Sequence, residues 1–340
     1  MEESSLKTDA GSVANSLSSS VGRQAAAFIA IAFGISWLIW IPAIRLGAHP
    51  GTGEEILAFG TTGPAMAAIF LSRSRRRART VGLAARLLWF GLLWAPCWAV
   101  YILSDKMRGV TPNPSLRFCL IVAVLAAIPA WIGSGATSSD TGVWSLLRTL
   151  AIPQNWKWQA VAFFSLPAIL LIPAAIMHAL GKPLVLQQTS ISVGPWIAYG
   201  TLMFFRGLFF TAYFEEPGWR GYLLPCLQRK FSPLVASLIV WVPWALWHAP
   251  LDYGRPGGRS LMFYLQTRVL SLILMSIVLT WLYNRSGGNL LTVAIFHAGM
   301  DTFPFVLPYS PISLPLVVVW VLYVIVADKM WRRPSLLTRV

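Results

Sequence analysis

Ten apolar runs, most of them close to 20 residues long, fill nearly all of this 340-residue chain. They cover 25–44, 56–72, 87–104, 117–135, 159–178, 195–214, 232–249, 262–283, 289–309 and 313–327. A helix needs roughly 20 apolar residues to cross the hydrocarbon of a bilayer. Inside that hydrocarbon a segment must satisfy its own backbone hydrogen bonds, so runs of this length are helices. The expected fold is all-α, a polytopic transmembrane bundle of about 8–10 spanning helices. The runs at 56–72 and 313–327 are short, and each is open to an interfacial or re-entrant reading. Only 11% of the residues are charged and 56% are hydrophobic, against about 25% charged in soluble domains.

The charged residues carry topology rather than a nucleic-acid surface. Net charge is +15, but the cations sit in short loops beside apolar runs, where they set orientation and meet lipid headgroups. No basic stretch is interleaved with exposed aromatics, so the expected partner is the bilayer and not nucleic acid. With the N-terminus placed in the cytoplasm, 18 of the 27 Lys and Arg fall in inner segments and 8 in outer ones, with Arg206 inside a span. This bias follows the positive-inside rule; ten spans also put both termini inside, and a plasma (inner) membrane is the expected location. The Arg-rich loop at 73–79 is the strongest anchor. Cys97, Cys119 and Cys226 have no motif spacing and imply neither a disulfide framework nor a zinc knuckle.

Four regions follow. Residues 1–22 are polar and Ser-rich, and are expected to be a disordered tail. Residues 23–194 hold the first transmembrane helices. Within them 143–152 places Ser145, Arg148 and Thr149 on one helical side, as an interfacial helix does. Residues 195–310 form a core that gathers the unusual polar groups, and 311–340 form a last helix with a basic tail.

Ionisable groups within spans are costly and mark function by default. Most of the twelve acids are assigned to tails or loops, with Glu215, Glu216 and Asp301 as exceptions. In YFEEPGWRGYLLP (213–225), Glu215 and Glu216 point about 100° apart on a helix. Arg220 follows Glu216 by four and shares its face. One acid is then ion-paired and the other is free for chemistry, although a charged loop after a span would also read this way. Pro217 and Gly218 loosen the helix at this point. His248 ends the Trp-rich run WVPWALWHAPLD (241–252), where a lone histidine is more often structural. In FHAGMD (296–301), His297 and Asp301 share a face; the plain alternative is a packing pair. Taken together, a carboxylate, two imidazoles and an acid are a kit for activating water. Two His and one Glu are also a known zinc set, but the compact H-E-x-x-H motif is absent.

The ordered trio Glu-Glu-x-x-x-Arg, Trp-x-x-x-His and His-x-x-x-Asp on apolar helices resembles the CPBP family, the CaaX proteases and bacteriocin-processing (ABI-type) enzymes. WLYNRSGGNLLTVAIFHAGMD (281–301) is similar to the family's third-motif region, and GTTGPAMAAI (60–69) and the stretch near 146 also look like it. The resemblance is strong over 196–303. It implies an intramembrane endopeptidase acting on a membrane-associated peptide or protein, with Glu215 as general base, His248 holding the water, and His297 with Asp301 on the oxyanion side. Glu216 and Arg220 would be supporting. The family is described both as metal-dependent and as metal-free. The metal-free form is preferred here; a divalent ion such as zinc would fall to Glu215, His248 and His297. The chain departs from the family in having Trp244 where Phe is usual, read as reshaping a wall, and Asp301 where some members have Asn. The competing readings are a non-proteolytic immunity or scaffold protein of the same fold and a proton-coupled transporter.

Phe205-Arg206-Gly207 repeats the aromatic-Arg-Gly of Trp219-Arg220-Gly221, with Thr201 and Leu202 where the acids would stand. No catalytic role follows for Arg206. As a mid-span cation it is expected to find a carboxylate on another helix.

Overall fold

The computed structural model describes residues 2–48, 53–72, 82–137, 143–183, 193–254 and 259–333, with side chains from residue 19 onward except at 143–144 and 193–194. The Arg-rich loop 73–79 and the end of the basic tail, 334–340, lie outside the described residues. The elements are α1 (Glu2–Arg45), α2 (Glu54–Gly60), α3 (Gly63–Leu71), α4 (Leu83–Met107), α5 (Leu116–Gly133), α6 (Val143–Ala151), α7 (Trp156–Ala179) and α8 (Val193–Gly207). They continue with α9 (Tyr213–Gly218), α10 (Leu224–Gln228), α11 (Pro233–Trp247), α12 (Ala249–Tyr253), α13 (Leu261–Tyr264), α14 (Leu272–Arg285), α15 (Leu290–Val306) and α16 (Ser313–Ala327). All regular elements among the described residues are helical.

Seven helical segments among the described residues are long and apolar enough to cross a bilayer: Ser19–Arg45, Leu83–Met107, Leu116–Gly133, Trp156–Ala179, Pro195–Gln228, Pro233–Tyr253 and Leu261–Arg285. Leu290–Val306 and Ser313–Ala327 are apolar but shorter. The molecule is a polytopic helical membrane bundle. Large apolar side chains face outward while a few charged ones lie inside an otherwise apolar core: Leu38 is 77% and Leu116 75% exposed, whereas Glu216 and Arg220 are fully buried. Lipid is the solvent that tolerates the first and forces the second.

Three local features differ from, or refine, the sequence expectation. α1 is helical from Glu2, so helix runs through the Ser-rich residues expected to lack order. No proline precedes Pro42, and Ser, Ala, Leu and Glu all sustain a helix that the apolar span below has nucleated. The run at 56–72 does not span. It breaks after Gly60 into helices of 7 and 9 residues, where close packing decides the path. A Cβ at Gly60 would lie 2.2 Å from Trp40 Nε1, and one at Gly63 2.1 Å from Ser36 Oγ. α6 is the short amphipathic helix expected near 143–152. Leu147 and Leu150 are buried against the protein and Arg148 is exposed.

Arg206 finds its carboxylate. Its guanidinium lies 2.7 Å from Asp105 Oδ1 on α4 and 3.2 Å from Glu54 Oε2 on α2. It also donates to Ser104 Oγ at 2.9 Å and stacks 3.9 Å from the Tyr101 ring centroid. Arg108 joins the cluster at 2.6 Å from Glu54. Burial lowers the Arg108 guanidinium, but the hydrogen bond and charge of Glu54 outweigh this and hold it above its ordinary value. Asp105 lies just past the apolar run 87–104, where the sequence predicts a loop, yet it is 1% exposed. Arg206→Leu is therefore expected to destabilise the bundle by roughly 1–3 kcal/mol, less than the ~3–5 kcal/mol of a fully stripped buried pair because Arg108 remains. Thermal unfolding in detergent measures it; an unchanged midpoint would show that Asp105 does not depend on Arg206.

Candidate active site

The segment that carries the adjacent glutamates is not a plain α-helix. π turns at Leu208–Ala212 and Trp219–Leu223 bracket α9. Pro217, inside α9, cannot donate to the carbonyl one turn back, and Pro225 repeats the interruption. Wide turns of this kind are frequent at functional sites because they re-aim side chains without ending the helix. Gly218 lets α9 lie directly on α3: a Cβ there would stand 2.5 Å from the Pro64 carbonyl oxygen. Gly218→Ala is expected to destabilise the protein by about 1–3 kcal/mol through overpacking against backbone, read as a lower unfolding midpoint. Tolerance without loss would mean that α3 can move away from α9.

On α9 the two acids take different partners, as their angular separation requires. Glu216 Oε1 is 3.0 Å from the Arg220 guanidinium, and both side chains are fully buried. Glu215, 2% exposed, turns toward α11, where its Oε2 accepts a hydrogen bond from Trp244 Nε1 at 2.7 Å. The Arg220 guanidinium lies 4.1 Å from the Trp244 ring centroid, so the same indole that binds one acid stacks on the cation that pairs with the other.

His248 closes α11. Its Nδ1 is 2.8 Å from the Trp244 carbonyl oxygen. A carbonyl only accepts, so Nδ1 carries the proton and Nε2 is the acceptor nitrogen of the neutral ring. The ring packs edge-on to Trp247, with centroids 4.9 Å apart. From α15, His297 reaches the same neighbourhood. Its Nδ1 is 2.5 Å from Glu216 Oε1, and its ring lies 5.7 Å from that of Trp244. With Arg220 beside it Glu216 is a carboxylate, so His297 Nδ1 is the donor. The other ring nitrogen, Nε2, is 3.6 Å from Asp301 Oδ2. Asp301 is the open end of this chain of groups. Its side chain is 37% exposed and lies on the wall of a polar cavity of about 310 Å³ shared with Arg206, Arg108, Glu54 and Thr302.

α15 is held in place from its start. Asn289 Oδ1 accepts from the Thr292 backbone N–H at 3.0 Å, and its amide donates to the Ile152 carbonyl at 3.2 Å. Tyr213 donates to the Leu150 carbonyl at 3.2 Å, so α6 is tied to both α9 and α15.

Glu215, Glu216, Arg220 and His297 thus meet around one indole, and His248 approaches it through the main chain. The three residues that would take a divalent ion do not form a ligand set: among the described residues no three of His, Cys, Asp and Glu are grouped closely enough to hold a metal. One contributor escapes sequence reasoning: Trp244, read as a wall, is a hydrogen-bond donor. Outside this cluster Asp252 is also buried, 1% exposed and paired at 2.8 Å with Arg268.

Comparison with known proteins matches the segment that holds these residues. Residues 196–303 fit the family model of the type II CAAX prenyl endopeptidase, Rce1-like. Over this segment the chain is similar to the CPBP family. It is similar to CAAX prenyl protease 2 of Methanococcus maripaludis, with 29% identity over 148 residues covering 42% of this chain and 54% of that one. It is also similar to lysostaphin resistance protein A of Staphylococcus haemolyticus, with 30% identity over 120 residues covering 35% of this chain and 29% of that one. The chain therefore spans about half the length of the first relative and under a third of the second. All the CPBP-type motif residues, Glu215 to Asp301, fall inside the matched segment.

Proposed function

We propose that this protein is an intramembrane endopeptidase that hydrolyses a peptide bond of a membrane-associated peptide or protein. The observation that carries the reading is the buried relay Arg220–Glu216–His297 beside a second buried acid, Glu215, which is not part of that ion pair. Glu215 takes a proton from water as the water oxygen bonds to the scissile carbonyl carbon. His248, through the acceptor nitrogen Nε2, holds that water. The tetrahedral oxyanion receives a hydrogen bond from His297. Glu216 already accepts the Nδ1 proton, so Nε2 donates only when the ring carries both protons, and Glu216 and Asp301 then balance its charge. Asp301 acts on the imidazole rather than on the oxyanion, which a second negative charge would repel. The C–N bond breaks as Glu215 returns its proton to the leaving amine. The positive-inside bias supports a cytoplasmic-side cut and a plasma (inner) membrane location.

The test is cleavage. The purified protein in liposomes is given membrane-anchored reporter peptides, prenylated, acylated and unlipidated, and products are read by mass spectrometry. Scission at one defined bond by wild type, absent in Glu215→Gln, is the expected result. No scission of any reporter, or equal scission by both proteins, overturns the reading. A second reading is a membrane protein of this fold that acts without proteolysis; one relative is named for lysostaphin resistance rather than for cleavage, and the first of those outcomes favours this reading.

A further inference from the structure

Trp244 makes four contacts, three through its indole and one through its main-chain carbonyl, that no other described residue near the site combines. Its Nε1 donates to Glu215 Oε2 at 2.7 Å, its face lies under the Arg220 guanidinium at 4.1 Å, its edge meets the His297 ring at 5.7 Å, and its carbonyl accepts from His248 Nδ1 at 2.8 Å. It is 1% exposed, so none of these contacts exchanges freely with solvent. Only the first needs the indole nitrogen. Phenylalanine would keep the ring and the main-chain carbonyl and lose that single donor.

We propose that Trp244 is a positioning residue that fixes the Glu215 carboxylate through Oε2, leaving Oε1 as the oxygen that receives the proton of the attacking water. A carboxylate has two equivalent oxygens and a freely turning terminal torsion. A buried general base that must meet one water in one direction gains from losing that freedom before the reaction. The indole supplies this restraint: it is a rigid donor with no acceptor capacity and cannot trade roles with the acid. Oε1 has no hydrogen-bond partner among the described residues, so the division of labour between the two oxygens follows from the contacts. This inference rests on the proteolytic reading for its consequence and on geometry for its cause, and the two separate experimentally.

The test uses the full chain in detergent or nanodiscs. The indole Nε1–H resonance of Trp244 is assigned by its disappearance in Trp244→Phe, and its shift is followed in Glu215→Ala. A large change on removing the carboxylate is expected; no change overturns the proposal. Steady-state cleavage by Trp244→Phe then separates positioning from scaffolding. A fall in kcat of about ten- to hundredfold, the range of one charge-assisted hydrogen bond, with KM within about twofold is expected, because the lost bond acts on the base and not on substrate binding. An unchanged kcat, or a fall matched by loss of the folded protein in thermal unfolding, overturns it. A wild-type protein that cleaves nothing sinks the protease reading, and the indole resonance alone then decides whether Trp244 holds Glu215.

Discussion

Glu215→Gln is expected to lower turnover by about 10²–10⁴-fold, the contribution of a positioned general base, while the protein folds and melts as wild type. The substitution is nearly isosteric. The amide oxygen can still accept from Trp244 Nε1, so the packing of α9 against α11 survives. What is lost is proton affinity: an amide cannot take the proton that water must shed as it attacks. Glu216→Gln makes the informative comparison. Glu216 is the neighbour in sequence and is equally buried, but it holds Arg220 and His297 rather than the attacking water. Its replacement is expected to act on stability as well as on rate. If the two variants lost activity equally with folding intact, the separation of one chemical and one structural acid would be wrong. Product yield by mass spectrometry, normalised to folded protein, measures both.

Much of this arrangement is visible in the sequence where the interaction is local. The pairing of Glu216 with Arg220 is an i,i+4 contact on one helix and follows from periodicity alone. The spans follow from length and hydropathy. The carboxylate partner of Arg206 was foreseeable as a kind, since a mid-span cation cannot stand alone, but not as Asp105, which lies 101 positions away. The tie from Glu216 to His297 crosses 81 positions, and the donor role of Trp244 depends on a contact with a helix 29 positions earlier. Neither leaves a periodic trace. The break of 56–72 into α2 and α3 was hidden for a related reason. Its apolar content suits a span, and what stops it is the need of Gly60, Gly63 and Pro64 to pack against α1 and α9. Asp105 and Asp252 looked like loop acids because each lies at the end of an apolar run, where a two-residue shift in the helix boundary separates solvent from interior.

Arg220→Met is expected to be the most damaging substitution for stability, at roughly 3–5 kcal/mol. Arg220 and Glu216 are both fully buried, and neither has water to fall back on. Methionine fills much of the volume but leaves the Glu216 carboxylate uncompensated in the interior, with His297 Nδ1 as its remaining partner. The stacking of the guanidinium on Trp244 is lost as well, so the indole that holds Glu215 loses its cover, and activity should fall with stability. The damage comes from the stranded charge rather than from the missing bond, and the double variant Arg220→Met with Glu216→Gln tests that directly. Glutamine still accepts from His297 Nδ1 but carries no charge to strand. It is expected to recover most of the lost stability in thermal or denaturant unfolding, with a coupling between the two sites of a few kcal/mol on the scale of strongly interacting pairs. Additive losses in the double variant would mean that Arg220 supports α9 by packing alone, and the electrostatic role given to it in steadying Glu216 and His297 would have to be abandoned.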